Sequence, residues 1–393
     1  MTIVDRWLLP DGVEEILPPR AQQMECLRRQ WLDLYRSWGY ELVVPPMIEF
    51  VESLLAGMGN QDLDLQTFKL TDQLTGRLMG VRADMTPQVA RIDAHGLKRE
   101  GPVRLCYAGS VLHTKAASLS ASRSPYQVGA ELYGNKELES DIEIISLMLE
   151  TLQCAGLPTP HIDIGHVGIY RELSRLANLS RVQEIELFEA MQCKAFDDIK
   201  LLVNAYVRDK KLKSYFIKLP TLTGGNNVLK SARKLFADLP MVIKAIDDVE
   251  KIVAQVKMRN PSAELYFDLS ELRGYHYHSG LVFAAYLPGQ GQAIAKGGRY
   301  DDIGELFGRA RPATGFSVDM KQVINLLNAP AKNSNGILAP SNVDEKLWRV
   351  IQQLRATGEC VVVMLPGQKI TASALGCNRQ LQYKKDEWVI VPA

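Results

Sequence analysis

The stretch GSVLHTKAASLSASRSPYQVGAELYG, residues 109–134, decides how the chain is read. Two apolar segments flank a loop of Ser, Ala and basic residues, and this layout predicts two strands held apart by that loop. The first strand is expected to run out to His113 and Lys115, and the second carries Gln127 and Glu131. Side chains alternate across a strand, so Gln127, Gly129 and Glu131 share one face while Tyr126, Val128, Ala130 and Leu132 share the other. The second set is apolar apart from Tyr126 and suits packing against helices. The first puts a carboxylate and an amide beside a glycine that leaves room for a ligand. A solvated sheet face reads the same way, but acids on a sheet covered by helices are either paired or line a pocket.

Upstream, PPRAQQMECLRRQWLDLYRSWG (18–39) predicts a helix, with Leu27, Trp31, Leu34, Tyr35 and Trp38 at three- and four-residue spacing and Gly39 as its stop. YELVVPP (40–46) reads as a strand closed by its prolines. QTFKLTDQLTGRLMGVRADMTP (66–87) reads as a hairpin whose returning strand reaches Pro87, so that Asp84 and Thr86 alternate onto one face. A helix follows from Pro87, and another over ELESDIEIISLMLETLQCAG (137–156).

From about Leu173 to Leu265 the pattern is mostly helical and lies between strands that belong together. Past residue 330 a strand, a helix and two further strands form a small α/β appendage. The sheet is not built from βαβ units and no GxGxxG or GxxxxGK[ST] loop is present, so the fold class is α+β rather than Rossmann-like.

Composition excludes little else. A chain of 393 residues calls for more than one domain, and a net charge of +1 does not call for a nucleic acid or a membrane as partner. Six cysteines lie far apart with no CxxC, which suits a reducing compartment and fits neither a disulfide scaffold nor a zinc site. With no signal-like start and no apolar run near the roughly 18 residues a span needs, a cytoplasmic location is expected.

Two further stretches bear on chemistry. In ELRGYHYHSG (271–280), alternation puts Tyr275 and Tyr277 on one side and His276 and His278 on the other. An HxH pair can bind metal, but no nearby carboxylate or cysteine completes a ligand set, so packing or hydrogen bonding is the expected role and no metal site is assigned. In KGGRYDD (296–302), Gly297 and Gly298 let backbone approach a ligand closely, or simply mark a bend.

The order of motifs resembles a class II aminoacyl-tRNA synthetase, and within that class histidyl-tRNA synthetase. VRADMT, RLCYAGSVLHTK, SPYQVGAELYG, RGYHYHSGLVF, AKGGRYDD and GFSVDMKQVINLL follow one another as the family's motifs do. The resemblance covers about residues 5 to 330. It implies a class II synthetase-like core over 1–330, an antiparallel sheet flanked by helices with a helical insertion at about 173–265. Residues 334–393 would then be a small C-terminal α/β domain, short for the family's anticodon-binding domain.

Residue by residue, the resemblance implies a histidine pocket. Asp84 stands at the family's glutamate and Thr86 at its threonine. Gln127 and Glu131 match the pair holding the amino group, and Arg273, Tyr277 and Tyr300 match an arginine and two pocket tyrosines. His278 replaces the second tyrosine of a Tyr-Tyr pair.

The ATP side departs from the family. Where the family has Phe-Arg-x-Glu, this chain has Leu112, His113, Thr114 and Lys115. The loop keeps only Arg123, and Gln322 stands where the third motif's helix presents an arginine. Neither His nor Gln reproduces the bidentate fork of arginine, and losing one such preorganised donor costs about 10²–10³ in rate.

One branch of the family has these properties: the histidyl-tRNA synthetase-like regulatory subunits of ATP phosphoribosyltransferase. The resemblance implies no catalysis and no cofactor of the chain's own. It implies a homodimer within a hetero-oligomer, activation of a short-form catalytic subunit in the first step of histidine biosynthesis, L-histidine as a feedback effector, and no tRNA. A divergent but active histidyl-tRNA synthetase, or a free-standing amino-acid sensor with another partner, are the alternatives open at this point.

Overall fold

The computed structural model describes residues 7–55, 61–116, 121–271, 274–275, 277–328, 335–341 and 344–393. These fall into two compact units, one of residues up to 15 with 24–327 and the other of 16–23 with 328–393.

The first unit is organised by a nine-stranded sheet. Its strands, in spatial order, are Glu41–Leu42, Val103–Ser110, Tyr126–Tyr133, Ala313–Asp319, Ala295–Arg299, Leu281–Tyr286, His161–His166, Glu264–Asp268 and Thr223–Gly224. All neighbours are antiparallel except the pairing of Glu41–Leu42 with Val103–Ser110 and that of His161–His166 with Glu264–Asp268. Register places Glu131 opposite both Leu105 and Gly315, and Gly315 opposite Gly298. Facing residues point to the same side, so this row shares one face of the sheet.

The opposite face is the apolar one. Phe316, in the alternate parity, meets Tyr35 edge-on with ring centroids 6.1 Å apart. The helix Arg20–Ser37 buries Leu27, Trp31 and Tyr35, and the helix Leu138–Cys154 buries a nearly continuous apolar run, Ile142 to Leu149 and Leu152, broken only by Glu143 and Ser146. A buried ion pair fixes the latter helix to the sheet: Arg299 Nη2 lies 2.7 Å from Asp141 Oδ2.

The chain between the His161–His166 and Glu264–Asp268 strands is helical over Val167–Leu176, Arg181–Gln192, Phe196–Tyr206, Lys210–Lys218, Asn227–Leu235 and Pro240–Arg259. The two flanking strands are parallel neighbours. The short strand Thr223–Gly224, inside this helical stretch, adds an edge to the main sheet.

Local expectations needed correction in three places. The strand expected to reach Pro87 ends at Val81. Asp84 Oδ1 accepts from the Thr86 amide at 3.1 Å, and the turn so formed opens the helix Thr86–Arg91, with Pro87 inside its first turn. Asp84 and Thr86 therefore meet through a turn, not through strand alternation. The strand expected to reach Lys115 ends at Ser110, after which successive amides turn to Pro125, Arg82, Arg123 and Gln66. Tyr275 and Tyr277 lie in a turn rather than a strand, so alternation does not place them together.

The second unit carries a four-stranded sheet in the order Val361–Val363, Gly336–Ala339, Cys377–Lys384, Glu387–Pro392. Leu347 and Ile351 of the helix Glu345–Ala356 pack on Ile337, Ala339, Val361 and Leu381. Sequence reading missed Cys377–Lys384, because CNRQLQYK buries only Cys377 and Leu381 and carries almost no β-forming signal.

Removing one partner of a buried ion pair leaves the other charge uncompensated. Asp141→Ala is expected to destabilise the first unit by about 3–5 kcal/mol, read as a lowered urea midpoint at unchanged slope. An unchanged midpoint would show that Asp301, 3.3 Å from Arg299, compensates alone.

Candidate functional site: a buried carboxylate beside an altered anion clasp

Glu131 lies at the floor of a cleft of ≈ 1760 Å³ in the sheet face opposite the helix-covered one. It is 1% exposed. Tyr107 Oη donates to its Oε1 at 3.0 Å, and Tyr300 Oη donates to its Oε2. Room for this carboxylate exists because the facing residue is glycine: a Cβ on Gly315 would stand 1.5 Å from Glu131 Oε2. A Cβ on Gly129 would likewise come within 2.5 Å of Tyr107 Oη. Two sheet glycines thus clear the floor for one acid and its hydroxyl donor.

A second group of polar side chains adjoins the first. Thr86 Oγ1 stands 3.3 Å from Tyr107 Oη and 3.2 Å from Asp84 Oδ1. Gln127 donates from Nε2 to Asp84 Oδ1 at 2.8 Å and accepts at Oε1 from the Met85 amide at 2.9 Å. Both ends of the Gln127 amide are thus used by the protein, and its role is to hold Asp84 and the turn in place. Tyr277 stacks on Tyr300 at 4.8 Å between centroids, and its buried hydroxyl has no hydrogen-bond partner among the described residues.

The cleft therefore brings together Asp84, Thr86, Gln127, Glu131, Tyr277 and Tyr300. Arg273 and His276 lie outside the described residues. Tyr107 was missed by sequence reading. Its signal was available, since it faces Gly129 across the pairing of Val103–Ser110 with Tyr126–Tyr133.

Electrostatics follow from this burial. Desolvation pushes the Glu131 carboxyl up to about 8, outweighing the two tyrosine donors, and the charge of Asp84 adds to the rise. Burial also raises Tyr107, Tyr277 and Tyr300 well above the ordinary phenol value, so all three are neutral hydroxyls. His278 is pushed down to about 4 by burial and is an uncharged ring near pH 7. It stands against the Arg299 carbonyl, with Nδ1 at 3.3 Å, over Gly298, where a Cβ would come within 2.8 Å of that nitrogen. The space beside Gly298 is thus taken by His278, and that beside Gly297 by Phe283, so neither glycine serves a close backbone approach to a ligand.

The far end of the cleft is different in kind. His113 and Gln322 line it, while Lys115 is exposed and does not. His113 Nε2 lies 2.9 Å from the Ala83 carbonyl. The retained arginine of the loop, Arg123, donates to the His113 carbonyl at 3.1 Å and the Asp11 carbonyl at 3.0 Å, with its guanidinium 5.4 Å from the Phe68 ring centroid. Lys321, buried, donates to Ser124 Oγ at 2.9 Å and stands 3.9 Å from Glu14 Oε1. Both cations are engaged within the protein, Arg123 through two of its donors and Lys321 through one, although Lys321 also lines the cleft. Among the described residues, no three His, Cys, Asp or Glu side chains are grouped to hold a metal.

What the site can do chemically is hold a cation of ammonium size against Glu131 and Asp84, with aromatic hydroxyls around it. Comparison with known proteins bears on the rest. Residues 12–323 match the family described as histidyl-tRNA synthetase, and residues 334–391 match the ATP phosphoribosyltransferase subunit HisZ C-terminal domain. The ATP phosphoribosyltransferase regulatory subunit of Azotobacter vinelandii is 56% identical over 100% of this chain and 99% of its own length. The chain belongs to the family of ATP phosphoribosyltransferase regulatory subunits.

A member of that family from Stutzerimonas stutzeri is 55% identical over the same spans. A solved structure from Bacillus halodurans, described as an ATP phosphoribosyltransferase regulatory subunit/histidyl-tRNA synthetase, superposes with TM-score 0.82 at 28% identity over 95% of this chain and 97% of that one. Histidyl-tRNA synthetase from Nostoc shares the fold at TM-score 0.79 and 20% identity, over 98% of this chain and 97% of that one. The class II synthetase-like fold expected from the motifs is the fold found. The full-length relatives carry a regulatory name, and they do not favour the active-synthetase reading.

The raised carboxyl has a measurable consequence. Glu131 titrates at about 8 in the folded chain against an ordinary 4.5, so the folded chain holds a proton that the unfolded one releases. Its contribution to stability is full below about 4.5 and is lost as pH rises through about 8. Relative to Glu131→Gln, which cannot titrate, the unaltered chain is expected to lose melting temperature steadily between about pH 5 and about pH 9. A difference independent of pH would contradict the buried, protonated carboxyl.

Proposed function

We propose that this chain is the histidine-sensing, activating subunit of a hetero-oligomeric ATP phosphoribosyltransferase, and that L-histidine is the ligand of the cleft. The observation that carries the reading is Glu131. A carboxyl group this deeply buried keeps its proton unless a cation pairs with it, and with a second acid adjoining through Thr86 the fitting partner is an ammonium group that takes the proton's place. Tyr277, with its spare hydroxyl, and neutral His278 stand where an imidazole would reach. The diverted Arg123 and Lys321 support a nucleotide end that no longer grips phosphate, hence no adenylation and no tRNA charging.

Regulation then works by unequal binding. The chain biases a short-form catalytic subunit toward its faster state, and histidine inhibits because it binds the two states of the complex with different affinity. The setting we infer is the cytoplasm. No helix among the described residues is long and apolar enough to cross a membrane.

We further propose a homodimer formed along the Glu41–Leu42 edge. Leu42, Val44, Met47 and Ile48 are all exposed at or just beyond this two-residue strand, an apolar edge of the kind that proteins cover. The neighbouring helix Arg20–Ser37 has already turned Leu27, Trp31 and Tyr35 into its own protomer, so the edge is the better candidate. Val44→Glu is expected to convert a dimer to a monomer in sedimentation equilibrium at micromolar concentration. A monomer before substitution would remove the proposal.

The deciding assay is the phosphoribosyltransferase rate of a short catalytic subunit alone and with this chain added. Activation is expected, together with inhibition of the complex by L-histidine. Glu131→Ala should keep the activation and weaken inhibition about 10- to 100-fold, the worth of a hydrogen-bonded charge. No activation by the unaltered chain, or unchanged inhibition in the variant, would refute the reading.

A further inference from the structure

Tyr275 and Tyr277 both line the cleft, but their rings pack on different partners. Tyr277 lies in the cleft against Tyr300. Tyr275, two residues earlier, is buried between the helices Val167–Leu176 and Arg181–Gln192. Its ring stacks on Phe188 with centroids 5.2 Å apart and meets Tyr170 edge-on at 5.3 Å. Its hydroxyl donates to the Glu184 carboxylate, while Arg171 Nη2 donates to its carbonyl at 3.0 Å. Tyr170 Oη donates in turn to the Glu184 carbonyl at 2.7 Å, so Glu184 is held by both tyrosines.

The turn itself is braced. The amides of Tyr277 and His278 both donate to the Gly274 carbonyl at 2.7 Å. Gly274 has φ +67°, and a Cβ there would come within 2.7 Å of His278 Cδ2. The far side of the His278 ring is seated on Gly298. Hydrogen bonds to the Gly274 carbonyl thus tie Tyr277 and His278 to the residue that precedes Tyr275, and the His278 ring is wedged between two glycines.

Glu184 does not line the cleft. We propose that it is nevertheless a positioning residue for the cleft's ligand: through Tyr275, which lines the cleft, it sets the place of Tyr277, and the same bond ties ligand occupancy to the order of the helix Arg181–Gln192, whose Val182, Ile185 and Phe188 also line the cleft. This rests on the reading of the cleft as a histidine site. It adds a residue outside the pocket lining that governs affinity through a tyrosine inside it.

The test is calorimetric titration of L-histidine into the full chain and its variants. Glu184→Ala and Tyr275→Phe are each expected to weaken binding roughly 10-fold, and the double variant no further, because both break one interaction. Glu184→Gln, which still accepts from the phenol, should bind nearly as the unaltered chain does, a rescue that general loosening of the helix would not give. Hydrogen exchange supplies the second readout. Histidine should slow exchange in residues 181–192 of the unaltered chain and leave it unchanged in Tyr275→Phe. Near-native affinity in both single variants, or additive losses in the double, would overturn this inference alone. Absence of histidine binding by the unaltered chain would overturn the reading of the cleft, and this inference with it.

Discussion

A single carboxylate, Glu131, sets the terms for the rest of the site. It sits where water does not reach, and a charge there is costly unless it is protonated or paired. The surrounding structure answers that constraint in layers. Two tyrosine hydroxyls donate to its two oxygens, and a glycine on the facing strand leaves the space it fills. The strands that carry these groups are held at the centre of a nine-stranded sheet whose other face is closed by apolar helices and the Arg299–Asp141 pair. Fold and site are thus linked by register: a slip of one residue in the Tyr126–Tyr133 strand would turn Glu131 into the apolar layer.

The two ends of the cleft have opposite chemistry. At one end acids, hydroxyls and an amide form a linked set ready for a cation. At the other, Arg123 and Lys321 remain, with some of their donors directed at backbone carbonyls and Ser124, and with Lys321 near Glu14. Charge alone would suggest that a phosphate site survives there. The geometry weighs against it, because two of the Arg123 donors are already held by backbone carbonyls and are not offered as a fork to an incoming anion. Membership of a regulatory-subunit family and this division of the cleft are mutually consistent.

Much of this was legible in the residues, and the exceptions have physical causes. Strand parity placed Gln127 and Glu131 on one face, because period-two alternation is rigid within a paired strand. It failed for Asp84 and Thr86, which meet through a side-chain-to-backbone turn that a hydrophobic pattern does not encode. It failed again at Tyr275 and Tyr277, where a left-handed glycine starts a turn and sends the two rings to different partners. Gly297 and Gly298 suggest a close backbone approach or a bend, but they lie inside a strand, and Phe283 and His278 fill the space beside them. Likewise, no sequence pattern reveals that Arg123 points inward. The presence of an arginine is written in the sequence, and the partners of its donors are not.

The proposed function has recognition kept where nucleotide chemistry is lost. Its most direct measurement is histidine-dependent exchange of pyrophosphate into ATP by the purified chain. The account requires no exchange above a protein-free control at saturating L-histidine and ATP. Turnover clearly above that control would mean that the diverted cations can still grip phosphate, and would contradict it.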